Sequence, residues 1–230
     1  MKIVIATIKS WNIEKAKKLK EQMKGKHDIT ILTAKEEFTM ETLDAIKPEI
    51  VLLPHWSYII PEKLFEKYPC VIFHMTDLPY GRGGSPLQNL IVRGKKETML
   101  SAIQVTAELD AGPVYMKRPL SLHGSATEIF NRCSDIIFEE MIPAFLAGIP
   151  TPVPQEGEVT IFKRRKPEDG KLLPEMDINT LYDYIRMLDA EGYPRAFIDF
   201  GAYRLEFEQA DLKEDSLEAK VIFRKTSEEA

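Results

Sequence analysis

The chain is poor in cysteine and lacks a long hydrophobic run. Two cysteines, Cys70 and Cys133, occur among its 230 residues, and both stand in apolar contexts. We expect buried free thiols, because two isolated cysteines form neither a disulfide framework nor a zinc site. No apolar stretch approaches the roughly 20 residues that span a bilayer. The apolar run at residues 3–8 is short and leads into a charged helix, unlike a signal peptide. These features predict a cytoplasmic protein without membrane contact.

The chain also has no excess of positively charged residues. The formal net charge is −5 at pH 7, and the isoelectric point is about 5.6. This balance argues against a large basic surface, so no nucleic-acid partner is expected. Residues 163–166 read Lys-Arg-Arg-Lys. Such a run is most often a solvated face, and a role in holding an anionic substrate is the minority alternative.

The pattern of apolar residues divides the chain into two parts. In residues 1–150, apolar strands alternate with amphipathic helices, which predicts an α/β fold: a Rossmann-like, mostly parallel sheet with helices on both faces. Asn12 is expected to cap the first helix, while Ser125 and Glu128 have the spacing of a capping box. Residues 151–230 predict a proline-rich linker, a helix and a small antiparallel β unit of the hairpin type.

Two polar residues stand at predicted strand ends. His74 follows a buried strand and precedes a loop rich in glycine, and Asp110 lies in a Leu-Asp-Ala-Gly-Pro turn. Ligands bind outside the carboxyl ends of strands in open α/β sheets. An imidazole and a carboxylate there suit acid–base chemistry in a transfer reaction. The alternatives are a structural histidine and ordinary turn chemistry. The histidines lack metal-ligand spacing, so no metal is expected.

These residues resemble the formyltransferase family that uses N10-formyltetrahydrofolate. The family pattern is Asn-x-His, a Leu-Pro turn, an Arg-Gly segment and, later, a Leu-Asp-x-Gly loop. His74, Leu78-Pro79, Arg82-Gly83 and residues 109–112 match in order, and the likeness covers about two-thirds of the chain. The resemblance implies a folate-dependent N-formyltransferase with N10-formyltetrahydrofolate as formyl donor and no metal. Residues 1–150 would then be the catalytic domain and residues 151–230 its extension.

The resemblance also implies roles for individual residues. His74 would act on the oxyanion and in proton transfer, and Asp110 would orient His74 and favour its charged form. Two positions depart from the family: Ile72 replaces the asparagine, and Ile103 replaces a second histidine. The expected donor-binding residues are Trp56, Tyr58, Ile59, Ile60, Thr106 and Glu108. The expected acceptor-binding residues are Ser10, Trp11, Arg82, Gly83 and Asn89.

The acceptor is predicted from the C-terminal part. Residues 165–170, 185–188 and 192–197 resemble sugar N-formyltransferases, and the loop after His74 resembles the branch of nonulosonic (pseudaminic-acid-type) sugar biosynthesis. The main prediction is therefore formylation of the amine of a small-molecule amino sugar for a surface glycan. One alternative is methionyl-tRNA formyltransferase; another is a non-catalytic folate- or sugar-binding relative in which Ile72 records lost activity. A homodimer formed through the terminal β unit is a further expectation.

Overall fold

A computed structural model describes residues 1–225 of the chain. The strands are β1 Lys2–Ala6, β2 Asp28–Leu32, β3 Ile50–Leu53, β4 Cys70–His74, β5 Tyr80–Gly83, β6 Glu97–Gln104, β7 Val114–Ser121, β8 Thr160–Phe162, β9 Ala196–Phe200, β10 Tyr203–Leu212 and β11 Leu217–Lys225. The α-helices are α1 Ser10–Gln22, α2 Met40–Ile46, α3 Glu62–Lys67, α4 Pro86–Val92, α5 Ala126–Ile136, α6 Ile142–Ala147 and α7 Ile178–Arg186.

The central sheet has six strands in the order β2-β1-β3-β4-β6-β7. Strands β1 to β4 pair in parallel, and β6 runs antiparallel to β4. Every residue of β3 is buried, as expected for a strand with a continuous apolar run. Together with the flanking helices, this arrangement confirms the predicted α/β fold. The carboxyl ends of β1, β3 and β4 lie at one edge of the sheet, because these strands are parallel.

The two helix-start predictions had different outcomes. Ser125 and Glu128 form the predicted capping box: the Glu128 backbone N–H donates to Ser125 Oγ, and Glu128 Oε2 accepts from the Ser125 backbone N–H. The prediction for Asn12 is wrong, because α1 begins at Ser10 and Asn12 lies inside the helix. The Asn12 side chain is buried and accepts a hydrogen bond from Ser134 Oγ. A contact across 122 residues thus replaces a local cap.

The described chain forms two compact units. Unit 1 comprises residues 1–83, 98–120 and 131–161, and unit 2 comprises residues 84–97, 121–130 and those from 162 onward. The predicted domain boundary at residue 150 stays a prediction. Part of the predicted extension, residues 226–230, lies outside the described residues.

Unit 2 contains a three-stranded antiparallel sheet in the order β11-β10-β9, which confirms the predicted C-terminal β unit. Helix α7 packs against β10. Near the end of α7, the buried Arg186 donates to the carbonyls of Leu122 and Gly124, and the Gln88 side chain donates to the carbonyl of Met187. These bonds join three separate pieces of the chain within one unit.

Both cysteines are buried free thiols, as predicted. Burial raises the pKa of Cys70 to about 12. It also raises the pKa of Cys133, against a small opposing effect of Lys15. Across residues 1–225, no helix combines the length and apolar character needed to cross a membrane. The cytoplasmic location and the homodimer stay predictions.

Candidate active site

His74 is the last residue of β4 and is buried, with 8% of its surface exposed. Its Nε2 lies 2.8 Å from the Gly81 carbonyl oxygen. Because a carbonyl oxygen can only accept, Nε2 carries a proton and donates it to this bond. The other ring nitrogen, Nδ1, lies 3.6 Å from Asp110 Oδ2. The backbone thus fixes the ring so that Nδ1 faces the carboxylate.

Asp110 lies in the loop between β6 and β7 and is 8% exposed. Its backbone adopts the left-handed conformation with φ of 54°, which aspartate tolerates better than most residues. Its Oδ2 accepts a hydrogen bond of 2.9 Å from the Gly83 backbone N–H. The structure therefore brings together His74, Asp110 and Gly83 within unit 1. Their catalytic and binding roles stay predictions.

Arg82 points into a cluster of side chains beside Asp110. Its Nε and one terminal nitrogen donate to Gln155 Oε1, and the other terminal nitrogen donates to Glu108 Oε1 at 3.0 Å. Gln155 in turn donates from Nε2 to the carbonyl oxygens of Asp110 and Gly112, both at 2.8 Å. Arg82 thus anchors the loop that contains Asp110. Its contact with the acceptor stays a prediction. The sequence interpretation did not single out Gln155, which lies in the proline-rich linker.

The loop after β3 carries the first predicted donor-binding segment. Trp56 and Ile60 pack against a core cluster that contains Val51 and Leu53. Tyr58 and Ile59 face outward, and Ile59 is 92% exposed. The Trp56 indole nitrogen is buried and has no hydrogen-bond acceptor among the described residues. The loop thus combines an outward apolar surface with an unused donor.

The second predicted donor-binding segment follows β6. Thr106 Oγ1 donates to the Glu108 carbonyl oxygen, which closes a tight loop. Val105 packs against the same core cluster as Trp56 and Ile60. The two predicted segments therefore border one cluster in unit 1.

The first predicted acceptor-binding residues, Ser10 and Trp11, begin α1. The Trp11 ring lies edge-on to His55, with ring centroids 6.2 Å apart. His55 Nδ1 lies 3.1 Å from the Asn12 side-chain nitrogen, which also donates to Thr7 Oγ1. Because that nitrogen is a donor, neutral His55 carries its proton on Nε2. Desolvation lowers the pKa of His55 to about 4, and Lys9 acts in the same direction.

Asn89, the remaining predicted acceptor-binding residue, belongs to unit 2. Its side-chain nitrogen donates to the carbonyl oxygens of Gly84, Ser85 and Lys163, and its Oδ1 accepts from Arg93. These contacts occupy both ends of the amide, so Asn89 holds its own loop. Its contact with the acceptor stays a prediction.

Residues 1–225 contain no group of three or more His, Cys, Asp or Glu side chains that could hold a metal ion.

Comparisons with known proteins define the family. The family model described as "Formyl transferase" matches residues 6–136. The model "Methionyl-tRNA formyltransferase, C-terminal domain" matches residues 167–224. A solved structure named methionyl-tRNA formyltransferase, from Clostridium thermocellum, is 54% identical, with a TM-score of 0.97 over 98% of this chain and 100% of that one.

Two further proteins are more distant. The methionyl-tRNA formyltransferase of Thermodesulfovibrio yellowstonii is 27% identical over 66% of this chain and 52% of its own length. The chain therefore spans about half the length of the curated relatives it matches. HypX from Aquifex aeolicus, solved with tetrahydrofolic acid, is 20% identical over 94% of this chain and 38% of its own, with a TM-score of 0.75. At that identity the likeness shows the fold.

These findings correct the predicted acceptor. The prediction of a small-molecule amino sugar, of a pseudaminic-acid branch and of no nucleic-acid partner is wrong. The C-terminal residues interpreted as sugar-type overlap residues 167–224, which match the C-terminal domain of methionyl-tRNA formyltransferase. The short C-terminal motifs do not distinguish enzymes that act on amino sugars from enzymes that act on tRNA. A negative net charge of the whole chain is also compatible with a local basic segment. What the comparisons bear out is the predicted formyltransferase: the chain belongs to the formyl transferase family.

Proposed function

We propose that this protein transfers the formyl group of N10-formyltetrahydrofolate to the α-amine of methionyl-tRNA. The observation that carries the chemistry is the buried His74–Asp110 pair, held at 3.6 Å by backbone hydrogen bonds. The acceptor is inferred from the Clostridium thermocellum protein, whose whole length corresponds to this chain. We place the activity in the cytoplasm, as the sequence predicts.

The pair supplies a route for a proton. Bound N10-formyltetrahydrofolate supplies an activated formyl carbon, and the transfer replaces the bond from that carbon to N10 with a bond to the amine nitrogen. The amine must lose one proton and N10 must gain one. We assign His74 Nδ1 and Asp110 Oδ2, which face each other at 3.6 Å, to the transfer of this proton. His74 Nε2 is held by Gly81, so Nδ1 is the nitrogen that exchanges it.

The residues of unit 1 fit a folate donor. A pterin is flat and presents fixed donors and acceptors along its edge. The exposed side chain of Ile59 and the half-exposed ring of Tyr58 offer apolar area for its face. The buried Trp56 N–H needs an acceptor, which a ligand atom would provide. Backbone groups of residues 58–60 and 106–108 are the proposed partners of the pterin edge.

A tRNA acceptor needs a local cationic surface, and the 163–166 segment is the candidate. Lys163, Arg164 and Lys166 are exposed. The Arg165 backbone N–H donates to Ser85 Oγ at 3.0 Å, and a Cβ placed on Gly84 would lie 2.6 Å from Arg164 Cβ. The basic segment is thus held tightly against the loop that follows Gly83 in the chain. Several cations carried on an anchored backbone suit contacts with successive phosphates.

The proposed function is tested by turnover. Purified protein is incubated with N10-formyltetrahydrofolate and methionyl-tRNA, and N-formylmethionine is measured by mass after the ester is hydrolysed. We expect formylation that His74→Ala reduces by roughly 10²–10⁴-fold. The controls are free methionine and uncharged tRNA, which should stay unmodified. Folate binding without formylation of methionyl-tRNA would overturn the proposal and favour a binding protein.

A further inference from the structure

The Gln155 side chain makes four hydrogen bonds to residues of the candidate site, although no sequence motif pointed to it. Its Nε2 donates to the carbonyl oxygens of Asp110 and Gly112, and its Oε1 accepts two bonds from the Arg82 guanidinium, at 3.1 and 2.9 Å. All four residues belong to unit 1. A single half-buried side chain therefore ties the Asp110 loop to the strand that carries Arg82 and Gly83.

The backbone around Gln155 is itself fixed. Val153 exchanges two backbone hydrogen bonds with Val114, of 2.7 and 2.9 Å, and so pairs with the first residue of β7. This pairing brings the chain past the Asp110 loop two residues before Gln155. The side chain thus reaches the loop from an anchored backbone and loses little entropy when its bonds form.

The opposite side of the Asp110 loop has no room to move. A Cβ placed on Gly112 would lie 1.8 Å from the Gln104 carbonyl oxygen, so the loop lies directly against the end of β6. Gln155 holds the carbonyl oxygens of Asp110 and Gly112 in the same loop. Between these two contacts, Asp110 is kept at the left-handed φ that directs Oδ2 toward Gly83 and His74.

Only an amide satisfies both sets of partners. The two carbonyl oxygens require a donor, and the Arg82 guanidinium requires an acceptor. A glutamate would keep the bond to Arg82 but would set a carboxylate oxygen against two carbonyl oxygens. A methionine of similar length would make neither set of bonds. Comparing the two variants therefore separates the effect of losing the bonds to the Asp110 loop from the effect of losing the bonds to Arg82.

We propose that Gln155 is a positioning residue of the active site, which sets the Asp110 loop so that Oδ2 faces His74 Nδ1. The inference rests on the proposed function for its kinetic readout. It goes beyond that function by assigning a role to the linker after α6. Gln155 itself touches no reacting atom.

The test compares Gln155→Glu and Gln155→Met with wild type, with Glu156→Gln as control. Glu156 is the exposed neighbour and makes no contact used above. In the formylation assay we expect kcat to fall by roughly 10–100-fold in both Gln155 variants, because a misplaced catalytic group costs that order of rate. KM for N10-formyltetrahydrofolate should change less than about threefold, and the pH dependence of kcat should shift.

A structural role alone would leave different marks. It would lower the melting temperature of the variants and the fraction of active protein while the pH profile of kcat stayed that of wild type, and this result would overturn the proposal. A second readout does not depend on turnover: the NMR ring signals of His74, assigned with His74→Gln, should shift in Gln155→Glu and not in Glu156→Gln. An active wild type with unchanged variants refutes the role of Gln155. If wild type is inactive, the proposed function fails, and the His74 signals still decide the positioning role.

Discussion

Ile72 on β4 lies directly opposite Ile103 on β6, two residues before the catalytic candidate His74. The two side chains pack with Leu78 and Val114 in one small apolar cluster. They occupy the positions where the family resemblance leads us to expect asparagine and histidine. The two departures are therefore one change, in which an apolar pair replaces a polar pair across neighbouring strands.

This pairing predicts non-additive substitutions. Ile103→His alone should destabilise the protein by about 1–3 kcal/mol, because it buries an imidazole without a partner. Ile72→Asn should cost less, since Ile72 is only half-buried. The double variant should cost less than the sum, because the new amide and imidazole can bond across the strands. Urea denaturation of the four proteins measures these costs, and strictly additive values would contradict the coupling.

Asp110→Asn tests the charge of the pair without changing its geometry. Asparagine tolerates the positive φ and keeps an oxygen to accept from the Gly83 N–H. We expect a loss of kcat of roughly 10²–10⁴-fold with the melting temperature nearly unchanged. Steady-state formylation kinetics and a thermal melt supply the measurement. Retention of more than a third of the wild-type kcat would show that the carboxylate is dispensable.

His55 predicts a loss of stability in acid. The residue is half-buried, but its Nε2 is buried, and desolvation lowers the pKa from 6.5 to about 4. The unfolded chain binds this proton more readily than the folded protein, so the stability due to neutral His55 is complete above pH 6.5. It falls as the pH drops toward 4, by at most about 3 kcal/mol.

The matching variant is His55→Asn, which does not titrate and tolerates the positive φ of 51° at this position. Urea denaturation of both proteins at pH 7 and pH 4.5 gives the difference. The wild type should lose more stability than the variant between the two values. Carboxylates titrate in both proteins, so equal losses would mean that His55 does not contribute.

The basic segment predicts a salt-dependent acceptor affinity. Replacing Lys163, Arg164 and Lys166 with glutamine should raise KM for methionyl-tRNA by roughly 10-fold or more at low salt and flatten its dependence on salt concentration. KM for N10-formyltetrahydrofolate should not change. The charge-matched control replaces the exposed Lys18, Lys20 and Lys24 of unit 1. An equal effect of both triple variants would indicate a general effect of net charge.

Local patterns were the features that the sequence predicted well. The Ser125–Glu128 capping box depends on residues three apart, and the buried strands depend on continuous apolar runs, so both could be recognised from spacing. These predictions needed no knowledge of distant contacts. The pairing of His74 with Asp110 came from the family resemblance: β6 runs antiparallel to β4, so its carboxyl end lies beside Val71, and strand ends alone would not place the two side chains together.

The errors and omissions concern contacts between distant residues. Asn12 has the residue type of a cap, but its partner Ser134 is 122 residues away and draws it into the core. Gln155 lies in a linker, and its partners Asp110 and Arg82 are 45 and 73 residues away. The acceptor was predicted wrongly because neither short C-terminal motifs nor net charge shows where positively charged side chains lie together on the folded protein.

The three-piece construction of unit 2 bears on how the chain can be cut. Arg186 and Gln88 bind segments that reach unit 2 from opposite sides of residue 150. A protease that cleaves once between residues 150 and 161 would therefore nick the chain without releasing a separate domain, and the two fragments should co-purify until a denaturant is added. For the same reason, a protein truncated at residue 150 would contain only two of the three segments of unit 2 and would not be a self-sufficient enzyme.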